Sequence, residues 1–285
     1  MRWQGRRQSQ NVEDRRSLGR DVAVGGGLLT LLIMAAALFF PDLVPVLKLF
    51  EAPPGARQAA PAKPINDEMG AFLRTVVADN EDTWAKLFPQ AFNKRFAPAK
   101  LVMFTGRVQS GCGIADAGAG PFYCPLDKTV YIDPTFYEEL KRRFGAPGDF
   151  AQAYVIAHEI GHHIQNQLGI AEQVQSLQRR LSQADYNKMS VRMELQADFL
   201  AGVWARNMAQ YAGILDEEDI REAVNAAAAI GDDRIQKKSQ GFVVPEAFTH
   251  GTSEQRVRWF LYGLKTDTPE LLVQRMNEAF ERDSP

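Results

Sequence analysis

The clearest hydrophobic pattern in the chain is a helical stripe over residues 150–168. Its apolar positions recur at intervals of three and four residues: Phe150, Ala153, Tyr154, Ala157, Gly161, Ile164 and Leu168. Further apolar residues lie beside this stripe: Val155, Ile156 and Ile160. The pattern predicts a largely buried helix, in which every polar side chain needs a partner.

Similar periodicity elsewhere predicts a mostly helical domain. The other predicted helices cover residues 67–78, 80–87, 134–144, 171–184, 186–210, 216–236, 253–264 and 269–280. Two extended runs, 101–108 and 128–133, are joined by a loop that contains both cysteines. They predict a small antiparallel sheet. The expected fold class is therefore α+β, mostly helical, with helices carrying the active site.

A second hydrophobic feature is a run without any charged residue, from 22 to 40. Nineteen residues in a helix span roughly 28 Å, close to the thickness of a bilayer's hydrocarbon core. We predict an uncleaved transmembrane anchor; the alternative is a cleaved signal peptide. The run is longer than a usual signal core, and its alanine triplet at 35–37 lies inside it.

Charge and composition divide the chain around this run. Residues 1–21 contain six arginines and three acids, a net charge of +3 that predicts a cytoplasmic N-terminal arm by the positive-inside rule. Residues 41–64 form a juxtamembrane segment and a linker rich in Pro and Ala, and residues 65–285 form the folded domain. The 285 residues are 45% hydrophobic with a net charge of −2, and nothing in them suggests a nucleic-acid partner.

The chain contains two cysteines, Cys112 and Cys124. In an oxidising compartment we expect a disulfide between them, worth roughly 3 kcal/mol on the loop-entropy model. Free thiols are the alternative. A zinc site built from these two residues is not expected, because they lack the C-x-x-C spacing.

The buried stripe carries the motif H-E-x-x-H as His158, Glu159 and His162. Residues four apart lie on one face of a helix, so both imidazoles can bind one ion. Glu159 then lies beside the ion and can accept a proton from a zinc-bound water. His163 lies about 100° around the helix from His162 and cannot easily join them. We expect it to support a ligand or to lie at the surface.

A catalytic zinc takes three protein ligands and water, so a third ligand is needed. Glu194 and Asp198 are again four residues apart, and the apolar run 199–205 that follows can bury both. We predict that Glu194 binds zinc and that Asp198 accepts a hydrogen bond from the outer ring nitrogen of His158 or His162. A pair of acids on a helix surface is the alternative.

These motifs resemble those of the gluzincin metallopeptidases, and the resemblance is closest to the neutral zinc metallopeptidase family of bacterial membrane-anchored proteins. It is carried by residues 1–7, 11–16, 120–125 and 194–198. The resemblance implies one Zn²⁺ per chain, peptide or protein substrates and a location in the bacterial inner membrane with the catalytic domain periplasmic or extracellular. It also implies that an extended peptide pairs with an exposed sheet edge. From the position of the run 128–133 we expect Tyr131 to contact substrate.

Gluzincins use a downstream histidine as hydrogen-bond donor to the oxyanion, and His250 matches this role by order along the chain. A loop histidine near the start of a helix is the alternative. Arg256 and Arg258 could pair with Asp232 and Asp233, but we expect a solvated face.

The sequence thus predicts a membrane-anchored zinc metallopeptidase, with Glu159 as general base and His250 as oxyanion donor. Two alternatives stay open. One is a zinc-containing binding or scaffold protein, and the other is a zinc hydrolase of a non-protein cell-envelope substrate. Substrate identity and oligomeric state are not encoded in these motifs.

Overall fold

The computed structural model describes residues 1–16 and 67–281. The predicted anchor at 22–40 and the linker within 41–64 lie outside the described residues. Among the helices that are described, none has the length and apolar character needed to cross a membrane.

The described part of the chain is mostly helical, with a small sheet. Its α-helices are α1 (Glu68–Phe92), α2 (Thr135–Arg142), α3 (Asp149–Leu168), α4 (Ile170–Leu177), α5 (Gln183–Asn207), α6 (Glu217–Ala229), α7 (Asp232–Gln240), α8 (Ser253–Leu264) and α9 (Pro269–Glu281). Its strands are β1 (Val12–Asp14), β2 (Lys100–Met103), β3 (Arg107–Ser110), β4 (Gly113–Asp116), β5 (Phe122–Cys124) and β6 (Thr129–Ile132). The mostly helical α+β class is confirmed.

The prediction that the two extended runs pair antiparallel is wrong. The main sheet has the order β1-β2-β6-β5, in which β2 and β6 are parallel, with Leu101 opposite Val130. Strand β5 pairs antiparallel with β6 at one end of the sheet. Strands β3 and β4 form a separate antiparallel hairpin.

The run 101–108 is not one strand because the chain turns after Phe104. Gly106 has a φ of +76°, a conformation that favours glycine, and its N–H donates to Asp133 at 2.8 Å. The turn sends the chain into the β3–β4 hairpin and then into β5. Because the hairpin and β5 lie between β2 and β6 in the chain, β6 can pair with β2 and run in the same direction.

Residues 1–16 belong to the folded body, whereas their charge and the apolar run after them predicted a separate arm. Strand β1 pairs parallel with β2. Trp3 is buried, and its indole N–H donates to Asp149 at the first position of α3 at 3.0 Å. Ser9 is tied to α1 by a backbone hydrogen bond to Arg74 at 3.0 Å. The N-terminal residues thus complete the sheet and support the start of the motif-bearing helix.

Three arginines of this segment, Arg6, Arg7 and Arg16, are bound to acids of the body. Arg6 pairs with Asp79 at 2.6 Å, and Arg16 pairs with Asp67 at 2.7 Å. Hydrogen-bonded strands must lie on one side of any membrane. The predicted arrangement, with a cytoplasmic N-terminus and an exported body, is therefore incompatible with the pairing of β1 and β2.

Close helix packing brings the two motif-bearing helices together. A Cβ at Gly161 of α3 would lie 3.0 Å from the carbonyl oxygen of Ala197 in α5. Helices α5 and α8 approach more closely still, since a Cβ at Gly202 would lie 2.0 Å from the carbonyl oxygen of Phe260. Glycine at these positions allows the backbones to approach and aligns Glu194 with the histidines.

Several helix boundaries differ from the predicted ones, two of them for a clear structural reason. The predicted helices 67–78 and 80–87 are one helix, α1, because Asn80 donates its side-chain amide to the carbonyl of Val76 at 3.0 Å and does not end the helix. The predicted helix 216–236 is divided between α6 and α7 at Gly231. A Cβ there would lie 2.3 Å from the backbone nitrogen of Ser253, so the chain turns where it meets α8.

Candidate metal centre

His158, His162 and Glu194 converge as predicted. The carboxylate of Glu194 lies 3.1 Å from His158 Nε2 and 3.4 Å from His162 Nε2. Among the described residues, these three form the cluster of potential metal ligands whose donor atoms all lie within 4.8 Å of one another. Ligands of a tetrahedral zinc lie roughly 3.3 Å apart when each bond is about 2.0–2.1 Å. The donor set and its spacing therefore fit a zinc ion.

Asp198 supports His158, as the sequence predicts. It is fully buried, and its Oδ1 accepts from His158 Nδ1 at 2.8 Å, which leaves Nε2 for a metal. Tyr154 donates its hydroxyl to the same carboxylate oxygen. This arrangement fixes both the tautomer and the ring orientation of His158.

Arg256 completes this network, and the expectation of a solvated arginine face is wrong for it. The residue is 2% exposed, and its guanidinium binds Asp198 through Nε at 2.8 Å and Nη2 at 3.0 Å. Periodicity could not show this, because Arg256 and Asp198 are 58 residues apart and meet only through the α5–α8 contact. The sequence does hold one sign that Arg256 is buried: it lies three residues before Trp259, and residues at this spacing share a helix face.

Gln165 is a supporting residue that the sequence motifs did not reveal. Its Oε1 lies 2.8 Å from His162 Nδ1, and its amide nitrogen donates to the carbonyl of Met193 at 2.7 Å. Gln165 therefore orients the second histidine and ties α3 to the segment of α5 that carries Glu194. Its place three residues after His162, on a buried helix, was the only hint.

The electrostatics of the cluster favour a cation. Burial by itself would lower the pKa of His158, but Asp198 and Glu194 outweigh it and raise that pKa to about 10. Burial would raise the pKa of Glu194, yet the two histidines hold it well below its usual value. In the absence of an ion, a proton on imidazole takes the cation's place, so metal binding is expected to release protons.

Glu159 and the ligands line one cavity of about 490 Å³. Glu159 is 8% exposed and does not take part in the cluster of ligand atoms. The cavity walls come from α2, α3, α7, β5 and the segment before β5. A carboxylate beside the ligands, within a space of this size, is arranged to exchange protons with a bound molecule.

His250 lines the same cavity and is held by Asp232. The backbone N–H of His250 donates to Asp232 Oδ2 at 2.7 Å, and its Nδ1 lies 3.1 Å from Oδ1. This hydrogen bond raises the pKa of His250, which favours the protonated, donating ring. Asp232 thus pairs with a histidine, and not with Arg256 or Arg258, the partners that the charge pattern offered.

The other singled-out residues are placed as follows. Cys112 and Cys124 form a disulfide that joins the β3–β4 turn to β5. His163 is 1% exposed and hydrogen-bonded through both nitrogens, so it is not at the surface.

Tyr131 is buried with its hydroxyl on Asp127, so the prediction that it contacts substrate is wrong. The sheet edge at the cavity belongs to β5, a strand that periodicity did not identify.

Comparison with known proteins agrees with this geometry. The family model described as "Putative neutral zinc metallopeptidase" matches residues 1–271. The uncharacterized protein YpfJ of Escherichia coli (strain K12) is 47% identical, with 94% of this chain and 96% of that protein covered. The uncharacterized protein Rv2575 of Mycobacterium tuberculosis (strain ATCC 25618 / H37Rv) is 40% identical, with 70% and 68% covered. No solved structure matches. The match spans both the N-terminal strand and the metal centre, and the chain belongs to the putative neutral zinc metallopeptidase family.

Proposed function

We propose that this protein is a zinc-dependent peptidase that hydrolyses peptide bonds. The observation that carries the proposal is the placement of Glu159 beside the His158, His162 and Glu194 cluster, within one cavity. Two imidazoles and one carboxylate are the ligand set typical of a catalytic zinc, which keeps one position for water or substrate. A structural zinc site usually takes four protein ligands, and the described residues place three donors together.

The chain's own residues have separate tasks in this proposal. His158, His162 and Glu194 hold the ion, which when bound lowers the pKa of water to about 7 and polarises a carbonyl group. Glu159 accepts the proton of the attacking water and passes it to the leaving amine. His250, held by Asp232, donates a hydrogen bond to the developing oxyanion. Asp198 and Gln165 hold the ligand rings in place.

The cavity lining supports substrates with large apolar side chains. Its apolar lining residues lie in or just after β5, α2, α3, α6 and α7: Phe122, Phe136, Phe144, Val155, Ile230 and Ile235. Phe242 and Val243, just after α7 in the chain, are 60% and 39% exposed. Folded proteins bury such side chains, so we propose an extended or unfolded polypeptide as substrate, laid along the edge of β5.

The test is hydrolysis of a peptide panel by the zinc-loaded full chain. Peptides that differ only in having Phe, Leu, Gly or Asp next to one amide bond are compared by mass spectrometry. We expect cleavage at Phe and Leu, loss of cleavage with a zinc chelator, and recovery when zinc is restored. Cleavage of a cell-envelope polymer, with none of any peptide, would favour the non-peptide hydrolase. Zinc binding without any hydrolysis would favour the binding protein.

We further propose that residues 1–16 and the body lie together on the periplasmic side of the bacterial inner membrane, and that residues 22–40 attach the chain to the membrane from that side without crossing it. The Cys112–Cys124 disulfide supports an oxidising compartment. The arginines that would retain a free arm in the cytoplasm are instead paired with body acids, as Arg6 is with Asp79.

The location is tested by labelling intact cells with a maleimide that cannot cross membranes. Single cysteines are introduced by Gln8→Cys and by Lys141→Cys, at exposed positions in the N-terminal segment and in α2. We expect both to be labelled before lysis. Labelling of both only after lysis would overturn the periplasmic assignment but keep the shared side. Labelling of one alone would contradict the β1–β2 pairing.

A further inference from the structure

His163 directly follows the second metal ligand, and the proposed chemistry does not use it. Its Nε2 lies 2.7 Å from the carbonyl oxygen of Ala97, and its Nδ1 lies 2.9 Å from the hydroxyl of Tyr123. A carbonyl oxygen can only accept, so Nε2 carries the proton. Nδ1 therefore offers a lone pair, and the Tyr123 hydroxyl donates to it. The ring is 1% exposed, so this tautomer is fixed within the fold.

Asn166 binds the same hydroxyl from the same helix. Its side-chain amide donates to Tyr123 Oη at 2.9 Å and to the carbonyl of Pro125 at 3.2 Å. Burial raises the pKa of Tyr123 to about 12, so the hydroxyl keeps its proton. The Tyr123 and His163 rings also meet edge to face, with centroids 5.4 Å apart. Tyr123 is thus held by two polar contacts and one aromatic contact.

Tyr123 is the middle residue of β5, the strand at the cavity. One side of β5 is paired with β6, where Tyr123 lies opposite Val130. No other strand of the described sheet covers its second side. Residues 120–123 line the cavity together with His158 and His162. The distance between this free strand edge and the metal ligands is therefore set by contacts between β5 and α3.

We propose that His163, Asn166 and Tyr123 form a clamp that fixes the β5 edge relative to the metal ligands, and that His163 is a positioning residue for the substrate. This inference rests on the proposed function. Helix α3 carries the ligands on one face and the clamp on another, so a single rigid element determines where a peptide paired with β5 meets the ion. The third histidine of the sequence H-E-I-G-H-H then has a definite task.

Tyr123→Phe tests the clamp with little risk to folding, since it removes the hydroxyl and keeps the ring. Tyr131→Phe is the matched control: Tyr131 lies in β6 of the same sheet, and its hydroxyl donates to Asp127 at 2.7 Å and not to a residue of α3. With the best peptide of the panel, we expect Tyr123→Phe to raise KM about five- to tenfold, the loss corresponding to one hydrogen bond, with a smaller change in kcat. Both variants should keep one zinc per chain.

A readout independent of hydrolysis is amide hydrogen exchange over residues 120–125, measured on the full chain. We expect amide exchange over these residues to be about tenfold faster in Tyr123→Phe and in His163→Ala than in the parent chain. The double variant should exchange no faster than either single variant, because both changes open the same clamp. Exchange and KM in Tyr123→Phe that match those in Tyr131→Phe would overturn the proposal. So would loss of zinc from Tyr123→Phe. If the parent chain cleaves nothing, the proposed function fails, and the exchange result alone decides on the clamp.

Discussion

Replacing Glu159 with Gln is expected to lower kcat for peptide hydrolysis by about 10²–10⁴-fold while the protein keeps one zinc per chain. Gln has the same shape but cannot accept a proton. Glu159 lines the cavity and does not belong to the cluster of ligand atoms, so its replacement leaves the ligands intact. Turnover is measured with the best peptide of the panel, and zinc by elemental analysis of the same samples.

Glu194→Ala is the matched control for this prediction. It removes the carboxylate that lies 3.1 Å from His158 and 3.4 Å from His162, so we expect it to lose zinc. The two variants should therefore fail for different reasons. Full turnover in zinc-loaded Glu159→Gln would refute the general-base role. Zinc loss from Glu159→Gln, with retention in Glu194→Ala, would show that the ligand assignment is wrong.

Asp198→Ala is expected to reduce both stability and zinc affinity. It leaves the guanidinium of Arg256 buried without its carboxylate partner, a change that typically costs about 3–5 kcal/mol in the free energy of unfolding. It also removes the acceptor for His158 Nδ1, and loss of such a supporting partner typically weakens metal binding about 10–100-fold. Urea unfolding and competition with a chromophoric chelator measure the two effects.

Two control variants separate these effects. Asp198→Asn keeps an acceptor oxygen but loses the charge, so we expect smaller losses in both measurements. Asp79→Ala removes another buried carboxylate that pairs with an arginine, Arg6, far along the chain from the ligands. It should lower the free energy of unfolding and leave zinc affinity unchanged. Unchanged zinc affinity in Asp198→Ala would refute its role in orienting His158.

Much of the metal centre could be predicted because its residues lie on helices with regular spacing. His158 and His162 are one turn apart, and so are Glu194 and Asp198, so each pair shares a helix face whatever the rest of the fold does. The apolar residues around both pairs predicted burial. Residues whose roles depend on contacts between distant elements were less accessible, as Arg256 and Gln165 show.

The sheet illustrates the same limit. The residue pattern identified the two extended runs. Whether they pair parallel or antiparallel depends on the path that the chain takes from one run to the other. That path is set by the turn at Gly106 and by the β3–β4 hairpin. Likewise, hydropathy and charge made residues 1–21 resemble a detached arm, whereas pairing of β1 with β2 and burial of Trp3 make residues 1–16 part of the body.

The sequence by itself determined the helical class and pointed to His158, His162 and Glu194 as candidate metal ligands with Glu159 beside them, because local periodicity fixes which side chains share a helix face. The tertiary structure alone decided that Arg256 neutralises Asp198, that His163 binds Tyr123 and that β5 is the edge at the cavity. It also decided that the N-terminal segment completes the sheet. These features arise from hydrogen bonds and packing between residues far apart in the chain, and their partners exist only once the fold has formed.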